Sequence, residues 1–430
     1  MIDTKIAKEM IATSLDDIKK KQVITRAESK VVSTFMNYKH AIAVSGIRRS
    51  GKTYLIFQLV KKLLNENKLV MYINFEDPRF DERVDQLDIL YKSFLEEYGK
   101  KEKLYFFLDE IQNISKWEKW VSSMYEKDIK FFVSGSNASL LMGEFSKSLT
   151  GRHKRIELYP LNFQQIVSYI DPELCNPKNW HNVERKSEIK RILSRYMQYG
   201  GFPEVVFNKQ NDIILDYFDD IVSKDIIARH NISFKQSLKE LAVLLLTNIS
   251  SLHSLNSLNK TIQARSINTI KNYLMYLIDA YLIFKVPLFS YSLNKQNVNP
   301  FKVYAIDPGI RNAVSFRFSQ DMGKLYENAV ALELIQKGQG KNIYYWKSSK
   351  QEEVDFVVRK GLNITQLIQV CYDISDPKTR KRELKALCEA SKDLKCKNLL
   401  VITEDQESEE LFEDTKINLI PLWKWLLQKR

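Results

Sequence analysis

Gly46-Ile47-Arg48-Arg49-Ser50-Gly51-Lys52-Thr53 is the stretch on which the reading of this sequence turns. It fits Gly-x4-Gly-Lys-[Ser/Thr], with an apolar, strand-like run at 41–45 before it and helical periodicity at 53–65 after it. Chance supplies such a pattern roughly 0.004 times in a chain this long, so a phosphate-binding loop is the reading to build on. Its glycines let successive backbone N–H groups turn inward around phosphate oxygens at the positive end of a helix. Lys52 then neutralises the β and γ oxygens and Thr53 offers a hydroxyl to Mg²⁺. Residues Gly46 to Tyr54 are the candidate nucleotide-binding set, with ATP and Mg as the expected cofactors.

Outward from the loop, strand-like runs at 41–45, 69–75, 104–109, 130–134 and 155–161 alternate with helical periodicity at 53–65, 87–98, 116–127 and 138–145. That alternation predicts an α/β core with a parallel sheet. Leu104-Tyr-Phe-Phe-Leu-Asp109-Glu110 is an apolar strand that delivers two carboxylates at its carboxyl tip. Asp109 is expected to orient Mg²⁺ or its water, and Glu110 to polarise the water attacking the γ-phosphate. A whole strand, 69–75, separates the two motifs, which places the chain with additional-strand ATPases and not with small GTPases. At the tip of the next strand, Asn137 or Ser136 is either a γ-phosphate sensor or a helix N-cap. Arg152 reaches a phosphate of its own site or a neighbour's, or else is held in a salt bridge.

The chain has 430 residues, 44% hydrophobic and 28% charged, with 13 Gly and 10 Pro, which excludes a mainly disordered or fibrous protein. No apolar run is long enough to span a bilayer and the first residues are polar, so a cytoplasmic protein is expected. Cys175, Cys371, Cys388 and Cys396 show no CxxC pairing and read as reduced thiols. The net charge of +13 attracts polyanions, nucleic acid or acidic protein surfaces alike.

Three domains are expected: a core at 1–165, a helical lid and winged helix at 166–315, and a small α/β module at 316–430. After a polar loop at 171–186, helical periodicity at 190–196, 213–230 and 238–248 has no strand between. The order helix 254–262, helix 266–284, hairpin 285–306 is that of a winged helix. Beyond a polar stretch at 316–324, a helix at 325–337 precedes strand-like runs at 343–347, 353–359 and 365–372. A helix at 378–394, a strand at 398–403 and an element at 417–427 complete the module.

With these residues in hand the chain resembles an archaeal and bacterial AAA-like ATPase family carrying a C-terminal domain of unknown function. The resemblance rests on Gly46 to Thr53, Leu108-Asp-Glu-Ile-Gln112, Ser134-Gly-Ser136, Leu149-Thr-Gly-Arg152 with Pro160-Leu-Asn-Phe163, and Tyr199-Gly-Gly-Phe-Pro-Glu204, and covers nearly the whole chain. It implies that Gly201-Phe202-Pro203 approaches the nucleotide base; a turn before a helix is the alternative. It also implies a winged helix in which Lys260, Arg265 and Lys271 contact DNA phosphates, or which packs against a partner.

The final segment resembles a PD-(D/E)xK nuclease-like fold, with Glu327 on the helix and Asp355 on a strand in place. Gln369 stands where Glu is expected and Cys371 where Lys is expected, so a hard-cation site is weakened and the fixed positive charge is lost. A degenerate nuclease is therefore expected. The run Lys378 to Arg382, with Lys392 and Lys395, either follows a phosphate backbone or is a solvated face, and Trp423 and Trp425 read as core. Three functional classes follow: an ATPase that regulates or works on nucleic acid, an ATP-gated nuclease, and a signalling or chaperone-like ATPase acting on a protein partner or as a homo-oligomer.

Overall fold

Four apolar runs that cannot bury both faces alone, and one charged edge run, meet in one parallel sheet: β1 (Ala41–Ser45), β2 (Leu69–Asn74), β3 (Leu104–Asp109), β4 (Ile129–Gly135) and the edge strand β5 (His153–Glu157). Their order is β2-β3-β4-β1-β5, and each neighbouring pair is parallel. Strand β4 thus lies between the strand ending in the phosphate loop and the strand ending in Asp109, the layout of an additional-strand ATPase. The computed structural model describes residues 2–23, 26, 28–99, 103–138, 151–315 and 321–428. The predicted helix at 138–145 lies outside them from residue 139 onward.

Helices cover both faces, as a wholly buried parallel sheet requires. They are α1 (Thr4–Lys20), α2 (Glu28–Thr34), α3 (Lys52–Asn65), α4 (Asp85–Tyr98) and α5 (Trp117–Met124). One face packs Leu55, Leu59, Val60 and Leu63 of α3 on Ile42, Val44, Phe107 and Phe132. The other packs Phe94, Trp117 and Trp120 on Phe106 and Phe131. Helix α1 is missing from the sequence reading. Its buried positions, Ala7, Met10, Ile11, Leu15 and Ile18, follow helical spacing, but charged residues between them dilute the stripe. The Asp3 carboxylate caps it by accepting from the Ile6 N–H at 2.8 Å.

This first unit comprises Met1–Tyr159 with Asp279–Tyr281; the second comprises Pro160–Ile278 with Leu282–Arg430. The second unit begins with helices Phe163–Ile170, Val183–Tyr199, Pro203–Asn208, Ile213–Asp220, a π-helical continuation Ile221–Ala228, and Lys235–Thr247. Helix Phe163–Ile170, not predicted, starts from a reciprocal cap between Asn162 and Gln165. Helices Leu255–Ile262 and Ile267–Asp279 follow. An antiparallel sheet β6-β8-β7 is formed by β6 (Leu252–His253), β7 (Ile283–Pro287) and β8 (Phe301–Ala305). The helix predicted to reach residue 284 stops at Asp279, because Tyr281 takes a left-handed conformation (φ 58°) and the chain enters β7.

The remainder is a six-stranded mixed sheet, β13-β14-β12-β11-β10-β9. It contains β9 (Ile343–Lys347), β10 (Glu353–Lys360), β11 (Asn363–Val370), β12 (Leu399–Thr403), β13 (Ser408–Phe412) and β14 (Thr415–Pro421), flanked by helices Met322–Leu334 and Pro377–Leu394. The β13–β14 hairpin escapes sequence reading because its edge strand is half exposed and acidic. Trp423 and Trp425 are buried, as are Cys371, Cys388 and Cys396, and all four cysteines are free.

Candidate nucleotide site

Strand β1 ends at Ser45, and the loop that follows passes so close to β5 that a Cβ on Gly46 would lie 1.9 Å from the Leu158 carbonyl oxygen. Only glycine fits there. Gly51 closes the loop in a left-handed conformation (φ 95°, ψ 23°) and starts α3, which puts the positive end of that helix against the loop. Ser50 is fully buried, and its hydroxyl has no hydrogen-bond partner in the protein. An orphaned buried donor beside the positive end of a helix fits a phosphate. Lys52 is buried and donates to the Gly46 carbonyl at 3.1 Å and the Ile47 carbonyl at 3.2 Å. It is thereby folded back over the loop it is expected to serve. Arg48 pairs with Glu76 at 2.8 Å, Arg49 is left-handed (φ 67°), and Tyr54 is half exposed beside the loop, its ring 5.8 Å from that of Phe57.

Parallel registry sets the second half of the site. With Leu108 opposite Val133 and Ser45 opposite Gly135, the tips of β1, β3 and β4 end at one edge of the sheet. Asp109 there accepts from the Thr53 hydroxyl at 2.8 Å, from the Tyr72 hydroxyl at 3.1 Å and from Ser134 Oγ. A hydroxyl and a carboxylate in contact at a phosphate loop are the donor set that Mg²⁺ with its waters takes, so Thr53 and Asp109 fit that ion. Glu110 follows in a left-handed conformation (φ 52°), with Oε1 3.7 Å from Lys52 Nζ and Oε2 accepting from Gln112 Nε2 at 2.5 Å. Burial raises the Glu110 carboxyl above its usual range; Lys52 opposes the rise and Asp109 adds to it. A buried carboxylate held between an ammonium and an amide is suited to taking a proton from water.

A family model described as AAA domain matches residues 38–167, and two described as Domain of unknown function (DUF8612) and Domain of unknown function (DUF4143) match 190–321 and 322–425. An uncharacterized protein of Methanocaldococcus jannaschii is 36% identical over 449 residues, which cover 99% of this chain and 96% of that protein. The chain belongs to the family of AAA-domain P-loop ATPases with C-terminal domains of unknown function. An uncharacterized protein of Haemophilus influenzae is 29% identical over 349 residues, covering 77% of this AAA-domain chain and 82% of its own. Among solved structures, the Aeropyrum pernix Orc1 protein in complex with DNA aligns at 12% identity and a TM-score of 0.31, over 70% of this chain and 94% of that one. No helix among the described residues is long and apolar enough to cross a membrane.

Of the other expected residues, Ser136 and Asn137 are buried directly beyond β4, at the edge that carries Asp109. Arg152 is not. It precedes β5 at the opposite end of the sheet, where Ala41 pairs with His153, and it sits 3.5 Å from Glu126 and over the Tyr125 ring. Five strand residues separate that end from the loop, so Arg152 does not serve the site of its own chain. Pro203 occupies the first turn of helix Pro203–Asn208 in the second unit, where the Gly201 N–H donates to the buried Asp307 carboxylate at 2.6 Å.

Sequence reasoning missed Tyr72, Ser134 and Gln112 as partners of the two carboxylates. Ser134 was legible as a polar residue at a buried strand tip; Tyr72 was not, since which face of β2 it joins depends on the registry with β3. In the second unit, Asp355 and Gln369 do come together, the Asp355 N–H donating to Gln369 Oε1 at 3.2 Å, and Glu327 lies in the same cluster. Cys371 turns instead into the apolar core beside Leu367 and Ile374, and burial pushes its thiol up to about 12. The basic run is partly neutralised, Arg380 by Glu410 and Arg382 by Glu383.

Proposed function

We propose that the chain binds Mg·ATP and hydrolyses it to ADP and phosphate, and that this cycle governs an action on nucleic acid. The observation that carries the first part is the convergence of Lys52, Thr53, Asp109 and Glu110 at one sheet edge around an orphaned loop hydroxyl. Magnesium, when bound, draws charge from the β- and γ-phosphates. Lys52 leaves the loop carbonyls for phosphate oxygens, Thr53 and Asp109 hold the ion, and Glu110 takes the proton of the attacking water. Asn137 or Ser136 senses the γ-phosphate. The base contact of Pro203 rests on the family resemblance alone.

The nucleic-acid part draws on the exposed cations Lys260, Arg265 and Lys271, on helix Leu255–Ile262, the connection after it and helix Ile267–Asp279 ahead of β7 and β8, an element order that fits a winged helix. In this reading the core, the winged-helix region and the nuclease-like module divide near 165 and 315. A signalling or chaperone-like ATPase has the same nucleotide site, and DNA separates the two. Calorimetry should show ATP uptake by wild type and Glu110→Gln but not by Lys52→Ala, with turnover lost in both variants. Affinity for duplex DNA should fall with salt and differ between ATP and ADP. Absence of ATP uptake by wild type overturns the first part; nucleotide-blind or absent DNA binding overturns the second.

A further inference from the structure

Lys302 lies on β8, far in sequence from anything that announces a site, and is 2% exposed. Its ammonium has three N–H donors and spends each on a different carboxylate: Glu327 Oε1 at 2.9 Å, Glu353 Oε1 at 2.8 Å and Asp355 Oδ1 at 2.8 Å. These carboxylates come from two elements, helix Met322–Leu334 and strand β10. Two of the three carboxylates accept a further hydrogen bond. Glu327 Oε1 accepts from the Tyr304 hydroxyl at 2.6 Å, and Asp355 Oδ2 accepts from the Val370 N–H at 2.9 Å. Gln369 is committed elsewhere, its Oε1 accepting from the Asp355 N–H at 3.2 Å and its amide donating to Glu383 Oε2 at 2.6 Å. Burial alone would lower the Lys302 ammonium, but Asp355, Glu327, Tyr304 and Glu353 outweigh it and hold the group charged. Burial and Asp355 push Glu327 up to about 7.

A nuclease-like module of this kind is expected to hold a divalent metal between Glu327 and Asp355, and the residues present do not fit one. A metal needs open carboxylate oxygens at about 2.0–2.6 Å, whereas here the space equidistant from the three carboxylates is filled by a positive charge tethered to the chain. Among the described residues no group of three or more His, Cys, Asp or Glu side chains is arranged to hold a metal.

We propose that the Lys302 ammonium is a built-in cation that has replaced the metal of the nuclease-like module, tying β8, helix Met322–Leu334 and β10 together and leaving the module unable to cleave phosphodiesters. The lysine belongs to the span matched by one domain of unknown function and its carboxylates to the next, so the ion cluster crosses the boundary between them. The bridge between Leu288 and Tyr345 joins the same two sheets nearby.

The test is Mn²⁺ uptake by the full chain without nucleotide, read by electron paramagnetic resonance, together with Mn²⁺-dependent cleavage of plasmid and single-stranded DNA. Wild type and Asp355→Asn should take up equal Mn²⁺ and cleave nothing. Lys302→Met removes the cation that the three carboxylates share and should take up one additional Mn²⁺ per chain, lost again in Lys302→Met/Asp355→Asn. Three outcomes overturn the proposal: Mn²⁺ uptake by wild type that Asp355→Asn abolishes; cleavage by wild type that Lys302→Met abolishes, which would make Lys302 a catalytic lysine; or a folded Lys302→Met with no added uptake. If Lys302→Met does not fold, the wild-type and Asp355→Asn pair still decides. ATP turnover, followed alongside, keeps this outcome separate from that of the nucleotide site.

Discussion

Ser134→Ala tests the geometry of the nucleotide site at a residue with no place in the phosphate-loop or acidic-strand motifs. The Ser134 hydroxyl donates to Asp109 Oδ1 and accepts from the Glu110 N–H at 3.2 Å, so one buried side chain aligns both carboxylates. A hydrogen bond to a charged group contributes about 1.5–3 kcal/mol, and loss of the second leaves a buried N–H without a partner. Asp109 keeps Thr53 and Tyr72 as donors, so ATP binding should weaken by no more than about threefold. The alignment of Glu110 is what suffers. At about 1.4 kcal/mol per tenfold, kcat should fall by about 10- to 100-fold with little change in KM. Steady-state turnover with calorimetric ATP binding measures both, and Ser134→Thr, which keeps the hydroxyl, should recover part of the rate. A folded Ser134→Ala enzyme with kcat within about twofold of wild type refutes the positioning role.

Gly46→Ala should force β1 and β5 apart, because its Cβ would meet the Leu158 carbonyl at 1.9 Å and displace the 2.7 Å hydrogen bond from the Leu158 N–H to the Ser45 carbonyl; thermal melting should show about 1–3 kcal/mol of destabilisation, and ATP uptake should weaken at least tenfold. Burial raises the Asp307 carboxyl from 3.8 to about 7, against the pull of three backbone N–H donors. Between those values the folded chain binds a proton that the unfolded chain has released. The associated stability is therefore complete at low pH and lost as pH rises towards 7, with a ceiling of about 4 kcal/mol. Denaturant titrations at pH 5 and pH 7 should show that loss, and Asp307→Asn should flatten the slope whatever it does to absolute stability; an unchanged slope counts against the assignment.

The nucleotide half of this protein is local in sequence, which is why so much of it could be read there. Gly46 to Thr53 specifies its own turn and helix start. Residues 104–109 are apolar enough to be a buried strand and nothing else, so Asp109 and Glu110 had to emerge at its tip. The strand alternation likewise pointed to a parallel α/β core, since the four central runs are too apolar to leave a face in water. Arg152 shows the limit of that logic. It closes the motif Leu149-Thr-Gly-Arg152, yet the direction of β5 carries it to the far end of the sheet, and direction is a property of pairing.

Tertiary structure alone decided the rest. Tyr72 and Ser134 became partners of the acidic pair because registry between separate strands placed them there, and Gln112 because the short helical turn after β3 folds it back onto Glu110. Glu327, Asp355 and Gln369 could be singled out in the sequence and do lie together, but Lys302, 25 residues before the first of them, could not. A lone lysine in a strand carries no signature, and a buried charge is defined by the carboxylates that converge on it, which come from segments the chain brings together only when it folds.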